Sequence, residues 1–281
     1  MLHKILINLR DINKRRLASR AKRKAEGDIT LATAADDLRQ AISLTKGIPL
    51  LVVSYNNGIY VANTVSQMAR LGITPIIIDN ASTDSQTRHI LSEIQRQGAA
   101  QVVYSRKNYG HLVGFMEPMY QVLPDVFAYT DPDLQLHPEI PKNFMEILAN
   151  LTIEYDAYKV GCALQLEYKG VPAHADNRYI ISVRKPFLFR ESYDVQRWEQ
   201  GFWKKKISHP ELEIYAAPLD TTLSVYNKSM YRGDFIFNSL RVAGCFSAIH
   251  LPWFPEVDIM TDAQRVAYLQ GNVSSTWRTN S

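Results

Sequence analysis

Asp131 and Asp133 close the stretch Val126-Phe-Ala-Tyr-Thr-Asp-Pro-Asp-Leu134, and two carboxylates in an Asp-x-Asp spacing after an apolar run suit one kind of chemistry. Hard oxygen ligands of this type hold Mg²⁺ or Mn²⁺, cations that proteins bind through one or two carboxylates plus the phosphate oxygens of a substrate. Val126 to Thr130 reads as a short buried strand of apolar, aromatic and β-branched residues, and Pro132 stops it because proline has no N–H for a ladder. The carboxylates therefore fall where a strand opens into a loop, the edge at which open α/β sheets bind ligands. The competing reading is an ordinary Asp-Pro-Asp turn, and the surrounding elements decide between the two.

Those elements alternate. Ile48 to Ser54 reads as a buried strand, Tyr55-Asn56-Asn57-Gly58 as a turn, and Ile59 to Leu71 as a helix closed by Gly72. Thr74 to Asp79 is a second strand with the polar loop Asn80-Ala-Ser-Thr-Asp84, then a helix over Ser85 to Gln97. Gln101 to Ser105 is a third strand, followed by a loop with Asn108, Gly110 and His111 and a helix from about Gly114 to Leu123. The Val126 strand is the fourth. Strands separated by helices of this length imply βαβ units and a parallel, right-handed, doubly wound sheet. Ser54-Tyr55-Asn56, Asp79-Asn80 and Asp131-x-Asp133 then share the carboxyl edge, so one crevice collects them as a nucleotide site with a metal. Neither GxxxxGK[ST] nor GxGxxG occurs, so the cation must meet the phosphate charge.

Composition sets the frame. The chain has 281 residues, 46% hydrophobic and 21% charged, enough for one large globular domain. The uncharged, apolar-rich run Val242 to Pro255 is 14 residues, short of the ~18 of a membrane span. Charges begin at Lys4 with no continuous apolar stretch, so the N-terminus does not read as a secretory signal. Cys162 and Cys245 form no CxxC, which argues against a zinc site or disulfide framework and fits a reducing cytosol. Residues 1–26 carry nine Lys or Arg against Asp11 and Glu26, while the whole chain is only +4, so the basicity is local. Leu2, Ile5, Leu6, Leu9, Ile12 and Leu17 recur there at helical spacing. Such a basic amphipathic helix fits an anionic membrane surface, or packing on its own core or on a second subunit. Nucleic acid is disfavoured, since no aromatic residue is present there to stack on a base. A second helix is expected from near Asp28 to Leu44.

The order strand-Ser-Tyr-Asn-Asn, strand-Ile-Asp-Asn-Ala-Ser-Thr-Asp, strand with Asn-x-Gly, then strand-Thr-Asp-Pro-Asp-Leu resembles the GT-A glycosyltransferases, in particular the family-2-like enzymes that use nucleotide-sugar donors. The later Trp198-Glu199, Phe202-Trp203, Asp220-Thr221-Thr222 and His250-Leu-Pro-Trp253 look like a bacterial subgroup building surface polysaccharide. The resemblance implies a GT-A, Rossmann-like, doubly wound and mainly parallel sheet with helices on both faces, preceded by a helical extension. Residues 1–46 are then the extension, 47–260 the catalytic domain with a donor half (47–166) and an acceptor half (167–260), and 261–281 a closing helix and tail. It implies that Ser54, Tyr55, Asn56, Asp79 and Asn80, with Asn108 and His111 nearby, hold the nucleoside. Asp-Asn stands where many relatives have Asp-Asp, which loosens the inference of a UDP-sugar donor. Asp131 and Asp133 match the metal and diphosphate motif, with His250 as an added ligand or, alternatively, a hydrogen-bonded core histidine.

Asp220 in Pro-Leu-Asp-Thr-Thr-Leu resembles the Glu-Asp-x-x-Leu stretch that supplies the base of inverting enzymes, with Leu219 in place of Glu. Its alternative is a helix N-cap, and Glu199 is the second candidate base. Trp198, Phe202, Trp203 and the run Lys204-Lys205-Lys206 mark where a glycan or lipid-linked acceptor would be met, unless they are a core cluster beside a solvated charge run. The expected function is metal-dependent, inverting sugar transfer on the cytoplasmic side of a membrane. A nonenzymatic nucleotide-sugar-binding or scaffold subunit is the alternative.

Overall fold

The computed structural model describes residues 30–173, 179–182, 190–193 and 195–271. The expected basic helix over residues 1–26 and the polar tail lie outside them. A helix α1 over 30–43 comes first, then β1 (Leu50–Ser54), α2 (Gly58–Leu71), β2 (Ile76–Asp79), α3 (Ser85–Arg96), β3 (Gln101–Tyr104), α4 (Met119–Val122) and β4 (Val126–Thr130). These follow the expected alternation with one correction. The helix expected over about Gly114 to Leu123 is only a single 3₁₀ turn, Val113–Phe115, and the short α4. Pro118 divides them, because it lacks the N–H and its ring clashes with the preceding turn.

The chain continues through β5 (Leu134–Leu136), α5 (Phe144–Glu154), β6 (Lys159–Cys162), β7 (Glu167–Tyr168), β8 (Val171–Pro172), β9 (Tyr179–Ser182), β10 (Arg190–Tyr193) and α6 (Val195–Gln200). It closes with β11 (Lys206–Ile207), β12 (Ile214–Ala216), β13 (Ser224–Asn227), β14 (Ser239–Val242), β15 (Ala248–His250) and α7 (Asp262–Gly271). Nine strands form one sheet in the order β11-β12-β14-β6-β13-β4-β1-β2-β3. It is mixed and mainly parallel. β12 and β13 run against their neighbours, so the second half departs from the all-parallel pattern of the first.

Both faces are covered, as the near-continuous apolar strands require. Leu50, Val52, Ile77, Ala128, Val160 and Val225 face one layer with Val61, Val65 and Met68 of α2 and Phe144 and Leu148 of α5. Leu51, Val53, Ile76, Ile78, Phe127, Tyr129 and Tyr226 face the other, under Leu31, Ala34, Ala35, Leu38 and Ala41 of α1. Two polar residues of α2 turn inward and fix the loop after β4. Thr64 Oγ1 donates to the Pro132 carbonyl at 2.6 Å, and Gln67 bonds both the Leu134 carbonyl (2.9 Å) and the Leu136 N–H (2.7 Å). Among the described residues no helix is long and apolar enough to cross a membrane.

Candidate active site

The parallel strands β1, β2 and β4 bring Ser54, Asp79 and Thr130 to one edge, with Ser54 paired to Asp79 in register. The expected nucleoside residues meet there, and their polar atoms are largely engaged in joining three loops. Ser54 Oγ donates to Asn57 Oδ1 at 2.9 Å. Asn56 Oδ1 accepts from the N–H groups of Thr83 (2.8 Å) and Asp84 (3.0 Å), which ties the first loop to the start of α3. Asn80 donates from Nδ2 to the Gly110 carbonyl (2.9 Å) and accepts at Oδ1 from the Tyr109 N–H (3.4 Å). Asn108 Oδ1 accepts from the Gly110 N–H at 2.8 Å, while His111 is exposed.

Asp79 is buried, its oxygens accepting from Ser82 Oγ (2.5 Å) and the Ser82 N–H (3.1 Å). Burial raises its pKa against the lowering effect of those bonds. Tyr55 stays half-exposed at the crevice mouth. Gly58 makes the close approach possible, since a Cβ there would sit 2.7 Å from the Thr87 Cα. Asn56 and Ala81 both hold left-handed backbone, with φ of 51° and 61°. That conformation is uncommon for alanine, and such strain concentrates at binding sites.

The acidic pair stands beyond β4 as expected. β5 pairs antiparallel with β15, with Leu134 opposite His250, and the Leu251 N–H donates to the Asp133 carbonyl at 2.9 Å. This register places His250 Nε2 3.3 Å from Asp133 Oδ2. Asp133 Oδ1 is buried and has no hydrogen-bond partner. Burial first, and then the charge of Asp133, hold the Asp131 carboxyl well above the usual carboxylate range, while the Thr221 hydroxyl bond opposes the rise. Like charges packed together in a medium of low polarisability demand a cation or a proton.

The expected three-ligand set of Asp131, Asp133 and His250 is not assembled. Among the described residues no group of three or more His, Cys, Asp or Glu side chains is placed to hold a metal ion. The reason is local: Thr221 Oγ1 bonds Asp131 Oδ2, and His250 Nε2 faces Asp133 Oδ2. A half-buried carboxylate, Asp131, beside a buried one with a bare oxygen, Asp133, still fits a Mg²⁺- or Mn²⁺-type ion, which usually takes its remaining ligands from phosphate and water.

Residues 50–188 match the model of glycosyl transferase family 2. Over that stretch the chain is similar to the glycosyl transferases of family 2. Among solved structures it is similar to the mannosyltransferase PcManGT from Pyrobaculum calidifontis in complex with GDP-Man and Mn²⁺, with 15% sequence identity and a TM-score of 0.35. That match covers 50% of this chain and 47% of the other, so this chain spans about half the length of that relative. No curated protein shows significant similarity to the chain.

The two candidate bases occupy different settings. Glu199 is buried, its carboxylate 2.6 Å from Arg241, and burial raises its pKa against the pull of Arg241 and His250. Asp220 is exposed, and the N-cap alternative does not hold, since the residues after it bend into β13 and no helix begins there. β12 and β13 run in the same direction, so residues 217–223 must climb back across the sheet face to the carboxyl edge.

Side chains rooted in the strands hold each step of this strap. Ser239 Oγ donates to the Ala217 carbonyl (2.8 Å), Arg241 Nε to the Pro218 carbonyl (2.9 Å), and Lys159 Nζ and Tyr226 Oη to the Asp220 carbonyl (3.3 Å each). The strap ends with Thr221 on Asp131, through the hydroxyl and through the Asp131 N–H to the Thr221 carbonyl at 3.2 Å. Sequence reasoning missed Lys159, Arg241 and the contact made by Thr221. The one signal was a Lys and an Arg inside alternating strand segments, Lys159-Val-Gly-Cys162 and Ser239-Leu-Arg-Val242, where each cation demands a buried partner. Ser105, also missed, follows β3 beside Asp79 with a buried hydroxyl that has no partner.

Proposed function

We propose that this protein is a metal-dependent, inverting glycosyltransferase that extends a glycan or lipid-linked acceptor in the synthesis of a bacterial surface polysaccharide. The observation that carries the reading is the buried Asp133 Oδ1, which has no hydrogen-bond partner and belongs to a carboxylate crowded by Asp131 at the carboxyl edge. The nucleoside of the donor is assigned to the crevice bounded by Tyr55, Asp79, Asn80 and His111, with Ser54, Asn56 and Asn108 shaping its walls. A Mn²⁺ or Mg²⁺ ion held by Asp131 and Asp133, with His250 beside them, would supply positive charge for the leaving diphosphate. Asp220, the exposed carboxylate on the strap, takes the proton of the acceptor hydroxyl. The acceptor oxygen then bonds the anomeric carbon as its bond to the diphosphate breaks, and the electron pair leaves with the diphosphate. Glu199 holds Arg241, and through it the Pro218 carbonyl of the strap. Residues 1–26 serve as a peripheral attachment to the cytoplasmic face of an anionic membrane.

The experiment is turnover of nucleotide sugars with Mn²⁺ by the wild type and by Asp220→Asn, with the anomeric configuration of the product read by NMR. The expected result is inversion, and a loss of about 10²–10⁴-fold in the variant with donor affinity unchanged. Wild-type turnover in Asp220→Asn, or a retained configuration, would remove Asp220 as the base.

A further inference from the structure

A cavity of about 340 Å³ lies where the chain leaving β6 meets the turn after α6, lined by Gln165, Leu166, Glu167, Gln200 and Trp203. Its place in the fold ties it to the acidic pair. β6 runs parallel to β14 and antiparallel to β13, as β4 does, so its carboxyl end opens on the same edge as Asp131. Beyond it, Leu164 bridges Ala248 and the Gln165 N–H donates to the Ala248 carbonyl at 2.9 Å. Ala248 opens the strand that ends in His250, roughly 7 Å further along an extended chain. Glu199, which precedes the lining residue Gln200, lies within the field of His250.

The lining has a definite chemistry. Trp203 packs with Ala163, Tyr215 and Ala243 in a small cluster apart from the two main apolar layers. The Tyr215 ring fixes it edge-on, with centroids 5.1 Å apart at 64°, and Trp203 stays half-buried. Leu166 continues the apolar wall. Gln165 and Gln200 can each donate and accept, and Glu167 accepts. A pyranose ring matches this set, having an apolar C–H face and a rim of hydroxyls that both donate and accept. A phosphate does not, because among the described residues no cation lines the cavity and the one charged residue there is acidic. Lys204, Lys205 and Lys206 are exposed and outside the lining, and Lys206 pairs with Glu213 at 3.1 Å. The volume is at the small end of ligand sites, which run from about 300 Å³ upward, and suits one or two rings.

We propose that this cavity is an acceptor subsite that seats an uncharged sugar ring of the glycan being extended, with Trp203 as its stacking platform. The assignment rests on the proposed function, in which the donor lies in the crevice on the other side of Asp133. The test is saturation-transfer NMR of the full chain with the methyl glycosides of glucose, galactose, mannose, N-acetylglucosamine and rhamnose. At least one should respond through its ring C–H protons, and binding should weaken by about tenfold or more in Trp203→Ala, the loss of about 1.4 kcal/mol. Trp203→Phe keeps an aromatic face and should retain part of the response, which separates stacking from a folding defect. Inorganic pyrophosphate should not compete. No response from any glycoside, a response unchanged in Trp203→Ala, or competition by pyrophosphate would overturn the proposal. Melting shifts of Trp203→Ala with nucleotide sugars and Mn²⁺ should equal those of the wild type. If the wild type itself gives no such shift, the donor reading fails while the glycoside result still decides the cavity.

Discussion

Lys159→Met should make the protein more stable and less active at the same time. Lys159 is fully buried in β6, its ammonium 4.0 Å from the Phe235 ring centroid and 3.3 Å from the Asp220 carbonyl. Burial, aided by the charge of Arg241, pushes its amine from 10.5 down to about 7 against the raising effect of Asp220 and Asp234. At about 1.4 kcal/mol per pH unit, holding that charge in the fold costs at most about 5 kcal/mol. Methionine has a similar length and no charge, and Tyr226 still donates to the Asp220 carbonyl, so no acceptor is orphaned. A gain of about 2 kcal/mol or more follows, roughly 4 °C or more in Tm for a chain of this size.

The sign of the pH dependence is fixed. Below pH 7 the amine is charged in both folded and unfolded states and the penalty is full. Between about 7 and 10.5 the unfolded chain holds a proton that the folded chain has lost, so wild-type stability rises with pH. The advantage of Lys159→Met should therefore be largest below pH 7 and fade by about pH 10. Turnover should fall by about tenfold or more with donor affinity unchanged, because the strap that carries Asp220 loses an anchor. Urea unfolding across pH 6–10 and steady-state kinetics measure both. A variant that unfolds more easily than the wild type at pH 6, or an advantage that does not vary with pH, would refute the reasoning.

Thr221→Val removes the hydroxyl that opposes the raised pKa of Asp131. The charged form needed at a cation site should then be lost at higher pH, moving the acid limb of the turnover profile up by about 1–2 pH units; an unmoved limb would show that Asp131 does not set it. Glu199→Ala leaves Arg241 buried without its carboxylate and should lower the unfolding free energy in urea by about 3–5 kcal/mol. Lost turnover at unchanged stability would instead make Glu199 the proton acceptor. Deleting residues 1–26 should release the protein from anionic vesicles, and retention of the truncated chain would exclude that attachment.

The first half of the fold was legible because each strand from Leu50 to Thr130 is an apolar run bounded by Gly, Pro or Asp punctuation, and local pattern is enough to fix such elements. The second half was not. Strands β12, β13 and β14 are three or four residues long, and two of them oppose their neighbours, an arrangement set by tertiary pairing. The acidic pair could be placed from its position after β4. The contact between His250 and Asp133 depends on the β5–β15 register, and the hold of Thr221 on Asp131 on the path of the strap, neither of which appears in a linear pattern. Asn56 and Asn80 look like free polar groups in the sequence, yet three-dimensional closure engages their amides in bonds between loops. The cavity beside Trp203 was signalled only as a cluster of aromatic residues.

The central claim is that Asp131 and Asp133 form, with a divalent cation, the diphosphate site of a nucleotide-sugar transferase. Titration calorimetry of a panel of nucleotide sugars, with and without Mn²⁺, in the wild type and in Asp133→Asn tests it most directly. The account predicts that at least one donor binds the wild type about tenfold or more tightly with Mn²⁺, and that Asp133→Asn abolishes this metal dependence while keeping its melting temperature. Donor binding that is indifferent to Mn²⁺ in the wild type, or a metal dependence that survives in Asp133→Asn, would contradict it.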